Sequence, residues 1–312
     1  MERKSIFFAL VLLCCLANRA FAAGSFVLLI PGAASSGENL YVKNAPFLNG
    51  RYFGVVQDQL KKVGIESIVC PDTNNFDRPS IEERAEACVN SILKRNQVFV
   101  CDDSSARNVV IFGHSTGGLV AREVAADPRV THCIYSAVTI SATHRGTALA
   151  DYAIEHEQIP GDFIGSMAQF FDFRPQDHLY LTELSTERNS YPAENFLGQD
   201  IPDAAGVKYA SISSSFSNNL LDSMNTFRMI LANEIEKRGQ GDTPYGSQND
   251  GMVPEYSQIH GEYLGHLEVN HLEAACLPPA VLSLGCKRAL QFVIPALQKQ
   301  IAGTRKTIFS DR

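Results

Sequence analysis

The chain has no excess of basic residues. Its 27 Lys and Arg stand against 34 Asp and Glu, a net charge of −7. Without a basic stripe, nucleic acid is not an expected partner. There is no tryptophan, an absence that decides nothing by itself. No CxxC or Cys/His spacing suggests zinc. No repeat, low-complexity tract or linker interrupts the sequence, and its longest apolar run falls short of the roughly 20 residues that span a membrane. What is present is globular in composition: 312 residues, 45% hydrophobic, 20% charged, with 22 Gly and 14 Pro. This excludes a disordered chain, a collagen-like repeat and a coiled coil, and allows one large α/β domain or two small ones.

Residues 1–22 have the pattern of an export signal. Arg3 and Lys4 give a positive start, Ile6 to Ala17 an apolar run, and Ala20-Phe21-Ala22 the small residues read by a signal peptidase. The alternative is an uncleaved anchor. A lipoprotein signal would need small residues before Cys14 or Cys15, where Leu12 and Leu13 stand. A secreted or periplasmic protein, with a mature domain over 23–312, is expected. Cleavage would leave six of the eight cysteines, an even number that permits disulfides. Cys276 and Cys286 flank a short loop that is cheap to close. Cys70, Cys88 and Cys101 are close enough in sequence to supply a second bridge. Cys133 lies in an apolar strand and is expected as a buried thiol.

Strand and helix patterns then alternate. Ser25–Ile30, Ile65–Cys70, Asn108–Phe112 and His132–Ile140 are short apolar runs of the kind buried on both faces of a parallel sheet. Between them, Phe47–Lys62, Pro79–Asn96 and Thr116–Ala126 have helical spacing; the second opens with Pro and Glu and ends in Lys94-Arg95. The order predicts an α/β fold with a mainly parallel, doubly wound sheet. Val207–Ser213 returns to strand character, and Lys287–Ile301 reads as a closing helix broken at Pro295. The intervening 151–205 is long for a connection, as lids and caps are.

Gly113-His114-Ser115-Thr116-Gly117 fits GxSxG. The motif alone is weak, but here it follows the strand NVVIF and opens the helix TGGLVAREVAA. That is the strand–turn–helix setting of a nucleophile elbow. There the serine takes strained backbone angles, and Gly113 and Gly117 remove side chains that would clash. A serine needs a base. In a chain ordered Ser, acid, His, the late candidates are His260, His266 and His271. Asp250, in the turn Asn249-Asp250-Gly251, suits the orienting acid. His266 is the best rival base, and Glu255 or Glu268 the rival acid.

GHSTGG, THRGT with Ala150-Asp151, QNDGMVP and VNHLE, in that order, make the chain resemble the secreted bacterial lipases of the Pseudomonas and Burkholderia group. These are α/β-hydrolases acting on triacylglycerols. The resemblance runs from about Val27 to His271. It implies Ser115 as nucleophile, Asp250 as acid and His271 as base, and an oxyanion hole of Ala33 and Thr116 backbone N–H groups. Where the family has His-Gly before the first donor, this chain has Pro31-Gly32. The resemblance also implies a calcium ion near the His loop, with Glu273 and Asp222 as candidate ligands; the Cys276–Cys286 bridge could staple that loop instead. His144 follows the strand after the elbow; a structural hydrogen bond to a neighbouring loop is the favoured reading, and a place in the site lining the alternative. Phe163, Ile164, Met167, Phe170 and Phe171 give the insertion one apolar helical face where the family carries its lid. The expected partners are a lipid or ester substrate at an oil–water interface and a folding chaperone. No cofactor is needed for the chemistry. A carboxylesterase for short soluble esters, a phospholipase, an acyltransferase and a non-catalytic binding protein remain alternatives.

Overall fold

The structure, a computed structural model, describes residues 25–32, 35–36, 39–40, 50–71, 80–95, 107–155, 182–186, 201, 203–216, 222 and 224–310. The segment read as an export signal, Ala33, Cys101 and the Phe163–Phe173 stretch lie outside the described residues, as does most of the 151–205 insertion.

In chain order the elements are β1 (Phe26–Ile30), the short strands β2 (Ser35–Ser36), β3 (Asn39–Leu40) and β4 (Gly50–Arg51), then α1 (Gly54–Lys62), β5 (Glu66–Val69) and α2 (Ile81–Arg95). They continue with β6 (Val109–His114), α3 (Gly117–Ala126), β7 (Ile134–Ile140), α4 (Ala148–Glu155), β8 (Lys208–Ser215) and α5 (Asn225–Lys237). The chain closes with β9 (Glu262–Glu268), the one-turn α6 (His271–Ala274) and the long α7 (Leu284–Ser310). Six strands form one parallel sheet in the order β5-β1-β6-β7-β8-β9, and β2, β3 and β4 make a small antiparallel one.

The apolar runs of β1, β6 and β7 are buried at every position because helices cover both faces. Alternate side chains divide between two cores. Phe26, Leu28, Ile30 and Ile111 pack with Val89 and Ile92 of α2 and Leu119 and Val124 of α3. Val27, Leu29, Val110 and Phe112 pack with Val56 and Leu60 of α1 and Val293, Leu297 and Ile301 of α7. Fully burying one such side chain contributes about 1.5–3 kcal/mol, so the two faces fix the register of the central strands.

The sequence expectations need four corrections. The helix expected over 47–62 begins at Gly54, because Gly50 and Arg51 pair with β3. Pro295 does not break the last helix, which runs 27 residues through it; packing of Val293, Ile294 and Leu297 outweighs the lost backbone bond. Helix α5 and strand β9 were not foreseen, β9 because an edge strand that is half exposed shows no continuous apolar run. Cys133, expected as a thiol, is disulfide-bonded. Cys70 is joined to Cys88 and Cys276 to Cys286.

Candidate functional site

The sheet order places a crevice between β1 and β6. From β1 the chain moves outward to β5; from β6 it moves the other way to β7. The loops leaving the carboxyl ends of these two neighbours therefore diverge, as at the ligand-binding switch point of open α/β sheets. Pro31 and Gly32 lie at the end of one strand and Ser115 at the end of the other.

Ser115 has φ 57°, a left-handed conformation unusual for a residue with a side chain. Its N–H donates to the Ile140 carbonyl at 3.2 Å, and its own carbonyl accepts from Gly118 N–H at 2.9 Å. The turn closes only because its flanks are glycine. A Cβ on Gly113 would collide with the Gly117 carbonyl, and one on Gly117 with the carbonyls of Ile30 and Pro31. A Cβ on Gly32 would stand 2.6 Å from that of Ser115, so the β1 loop lies directly against the elbow. Helix α3 starts just beyond, with its positive end at the turn.

Asp250 and His271 are brought together. The Asp250 side chain is wholly buried. Its Oδ1 accepts from the Met252 and Val253 N–H groups at 3.0 and 2.8 Å. Its Oδ2 accepts from the Ser214 hydroxyl at 3.1 Å and from His271 Nδ1 at 2.8 Å. A second tie runs from His271 N–H to the Asp250 carbonyl at 2.8 Å. With Nδ1 donating to the carboxylate, Nε2 of a neutral ring is left as an acceptor. His271 in turn lies against the residue before the serine. Its ring centroid is 4.6 Å from that of His114, and its carbonyl accepts from His114 Nε2 at 3.2 Å. Among the described residues, Ser115 Oγ makes no hydrogen bond.

His114 is fixed by this bond. A carbonyl only accepts, so Nε2 carries the proton and Nδ1 accepts from the Tyr52 hydroxyl at 2.7 Å. Complete burial, helped by the neighbouring His271, holds the His114 pKa well below the usual histidine range, so the ring is neutral. Tyr52, His114 and the His271 backbone thus form one chain linking β4, the elbow and the His loop.

Arg84, on α2, lies against the elbow, although no local pattern marks it. Its Nη1 donates to the Thr116 hydroxyl at 3.0 Å. Its Nη2 donates to the carbonyls of Pro31 and, at 3.2 Å, Gly32. One guanidinium therefore ties the β1 loop to the residue following Ser115. The fork geometry of arginine suits this two-sided grip. In sequence Arg84 is inconspicuous, one residue among glutamates in an ordinary amphipathic helix.

The rival acid and base pair with each other instead. His266 Nδ1 lies 2.8 Å from Glu255 Oε1, and Ser213 Oγ bonds both. The carboxylate raises the His266 pKa; burial pushes Glu255 up, but its bonds to His266 and Ser213 outweigh this and hold it low. Glu268 is exposed on β9. Among the described residues, none of these three bonds to the elbow. His260 pairs with Asp203 at 2.8 Å. His144 is buried and bonds Thr139 Oγ1 at 3.0 Å. Asp222 and Glu273 are both engaged by Asn270. Asp222 accepts from the Asn270 side-chain amide at 3.1 and 3.0 Å, while Glu273 accepts from its backbone N–H at 3.2 Å in a capping box. An amide N–H₂ against the Asp222 carboxylate does not fit a cation shared with Glu273, and no cluster of three metal-ligating side chains occurs among the described residues.

Solved structures share this architecture. A metagenomic carboxyl esterase superposes with a TM-score of 0.58 at 17% identity, over 91% of this chain and 76% of that one. The fold is that of the α/β-hydrolases. Staphylococcus hyicus lipase matches at 0.54 and 16% identity, covering 92% and 97% of the two chains. The mature Bacillus licheniformis lipase BlEst2 gives 0.55 and 14%, covering 85% and 90%. By sequence, the family model of a PGAP1-like alpha/beta domain matches residues 69–158, a span that includes the elbow. No curated protein matches the sequence.

Proposed function

We propose that this protein is an exported serine hydrolase that cleaves carboxylic esters of lipids, a triacylglycerol lipase in type. One observation carries the reading: the His271 ring is held through Nδ1 by buried Asp250, which leaves Nε2 as its acceptor, and it lies against His114, the residue before the strained Ser115. In the reaction, Ser115 Oγ attacks the ester carbonyl as its proton passes to His271 Nε2, giving a tetrahedral oxyanion. The C–O bond to the alcohol breaks as the imidazolium returns the proton to the leaving oxygen. Water then attacks the acyl-enzyme, giving its proton to His271, and collapse of the second intermediate frees the acid and restores Ser115. Asp250 stabilises the imidazolium and fixes its tautomer. Thr116 N–H, the residue after the nucleophile, is the oxyanion donor of this reading, with Ala33 N–H, outside the described residues, as the second donor that the family resemblance implies; one such donor is worth about 3–4 kcal/mol. Narrower membership of the Pseudomonas and Burkholderia group rests on the sequence motifs. Export rests on residues 1–22 and the disulfides, which persist in oxidising compartments.

The test is direct. Ser115→Ala and His271→Ala each abolish ester hydrolysis, and Asp250→Asn lowers kcat by about 10⁴-fold. A fluorophosphonate labels Ser115 in the wild type only. A fully active His271→Ala beside an inactive His266→Ala would overturn the assignment, and an unreactive Ser115 would leave a binding protein. Faster turnover of long-chain emulsions than of dissolved short-chain esters distinguishes lipase from esterase.

A further inference from the structure

Ala274–Cys286, the segment after the His271 helix, contains no charged side chain in the run AACLPPAVLSLGC. It folds back as a closed loop. The Cys276–Cys286 disulfide shuts its base, and backbone bonds Leu277 N–H to Leu272 O, Ala280 N–H to Leu277 O and Ser283 N–H to Ala280 O hold its course. Ser283 Oγ accepts from Cys286 N–H at 2.9 Å. At its far end Leu282 is 85% and Leu284 70% exposed. Two large apolar side chains standing out to this degree on a stapled loop are not packing residues, and single scattered leucines do not cluster so. Pro279, earlier in the same loop, is exposed as well.

The rim is cationic. Lys287 and Arg288 are exposed at the start of α7, and among the described residues neither forms an ion pair. The nearest acid in sequence, Glu273, is turned onto the Asn270 backbone and Gly285. In a chain of net charge −7, this corner combines protruding leucines with two exposed cations that form no ion pair among the described residues.

We infer that the Cys276–Cys286 loop docks the protein on an anionic phospholipid surface, with Leu282 and Leu284 entering the acyl boundary and Lys287 and Arg288 meeting headgroup phosphates. Apolar side chains with adjacent cations are the chemistry of interfacial binding. A second copy of the chain fits less well. A symmetric contact would set the two pairs of cations against each other, and a protruding tip gives far less than the roughly 800 Å² per partner of a stable interface. The loop packs on α6 through the Leu277 bond and the Glu273–Gly285 contact, so docking brings the His271 side of the crevice to the membrane. That consequence rests on the hydrolase reading; the docking does not.

The experiment is flotation of the purified protein with large vesicles, either pure phosphatidylcholine or with about 30 mol % phosphatidylglycerol. The wild type floats with the anionic vesicles, and high salt weakens it. Leu282→Ser/Leu284→Ser lowers the partition coefficient about tenfold or more. Lys287→Gln/Arg288→Gln removes the preference for anionic over neutral vesicles. Both variants hydrolyse a dissolved short-chain ester as the wild type does, which shows the fold and site intact. The proposal is overturned if the wild type stays in solution, if both variants float like it, or if Leu282→Ser/Leu284→Ser abolishes a dimer seen in sedimentation without affecting flotation. A wild type that floats but hydrolyses no ester would sink the hydrolase reading and leave docking standing.

Discussion

Arg84 shows how a residue outside the reacting groups governs their geometry. Its guanidinium binds two carbonyls of the β1 loop and the Thr116 hydroxyl, so it sets the spacing of the backbone donors proposed for the oxyanion. Arg84→Ala is expected to lower kcat on a dissolved ester by about 10–100-fold with KM little changed, because the donors then serve the transition state from looser positions. Arg84→Lys, a point charge unable to span both loops, recovers only part of this. Steady-state kinetics of the two variants check it; a raised KM at constant kcat would place Arg84 in ground-state binding instead. Gly32 acts at the same point by having no side chain. At residue scale the sequence was legible where chemistry needs a rare pattern. Ser115 stood out because glycines flank it at a strand–helix junction. Arg84, Tyr52 and Ser214 did not, since their roles come from contacts made across 32, 62 and 36 positions.

At the scale of elements, the Cys70–Cys88 bridge joins the end of β5 to α2, one turn beyond Arg84. It closes a separation of 18 residues, and removing it as Cys70→Ala/Cys88→Ala should cost about 3 kcal/mol in urea unfolding. The same variant should lose part of kcat while still folded, because α2 carries the Arg84 grip; full kcat in the folded variant would separate the bridge from the site. Around α6 the Asn270 capping box and the Asp222 carboxylate hold the His loop by hydrogen bonds. A chelator should accordingly leave the melting temperature unchanged, and a drop of several degrees would restore a metal to this loop. Element types were readable for β1, β6, β7, α2 and α3, whose patterns are strong. They were unreadable for β9, which has one exposed face and gains its place from Ser211–Ser215 of β8.

Over the whole molecule, four histidines set the response to pH. Burial holds His114 and His144 well below the usual value, and burial with the nearby Arg122 lowers His260 despite its bond to Asp203. The unfolded chain therefore binds their protons first as pH falls through about 6.5, and the stability they allow is present above that value and lost below it. His266 acts in the opposite sense. Its folded pKa is raised by Glu255, so its contribution is full below the unfolded value and fades as pH rises through the raised one. With three groups against one, the melting temperature should fall between about pH 7 and pH 5. His144→Gln, which keeps a partner for Thr139 but cannot titrate, should flatten that fall; an unchanged profile would remove His144 from the account.

The sequence by itself determined the parallel α/β core and the elbow, because burial on both faces demands continuous apolar strands and a tight strand–helix turn demands glycine. It also offered Asp250 and His271, with His266 and Glu255 still open as rivals. Only the tertiary structure decided that His271 lies with Asp250 beside His114, that His266 turns to Glu255, and that Arg84 joins the two loops. Pairing of this kind depends on which loops the strand order brings to one end of the sheet. Hydrogen bonds between side chains distant in sequence leave no local pattern from which to read them.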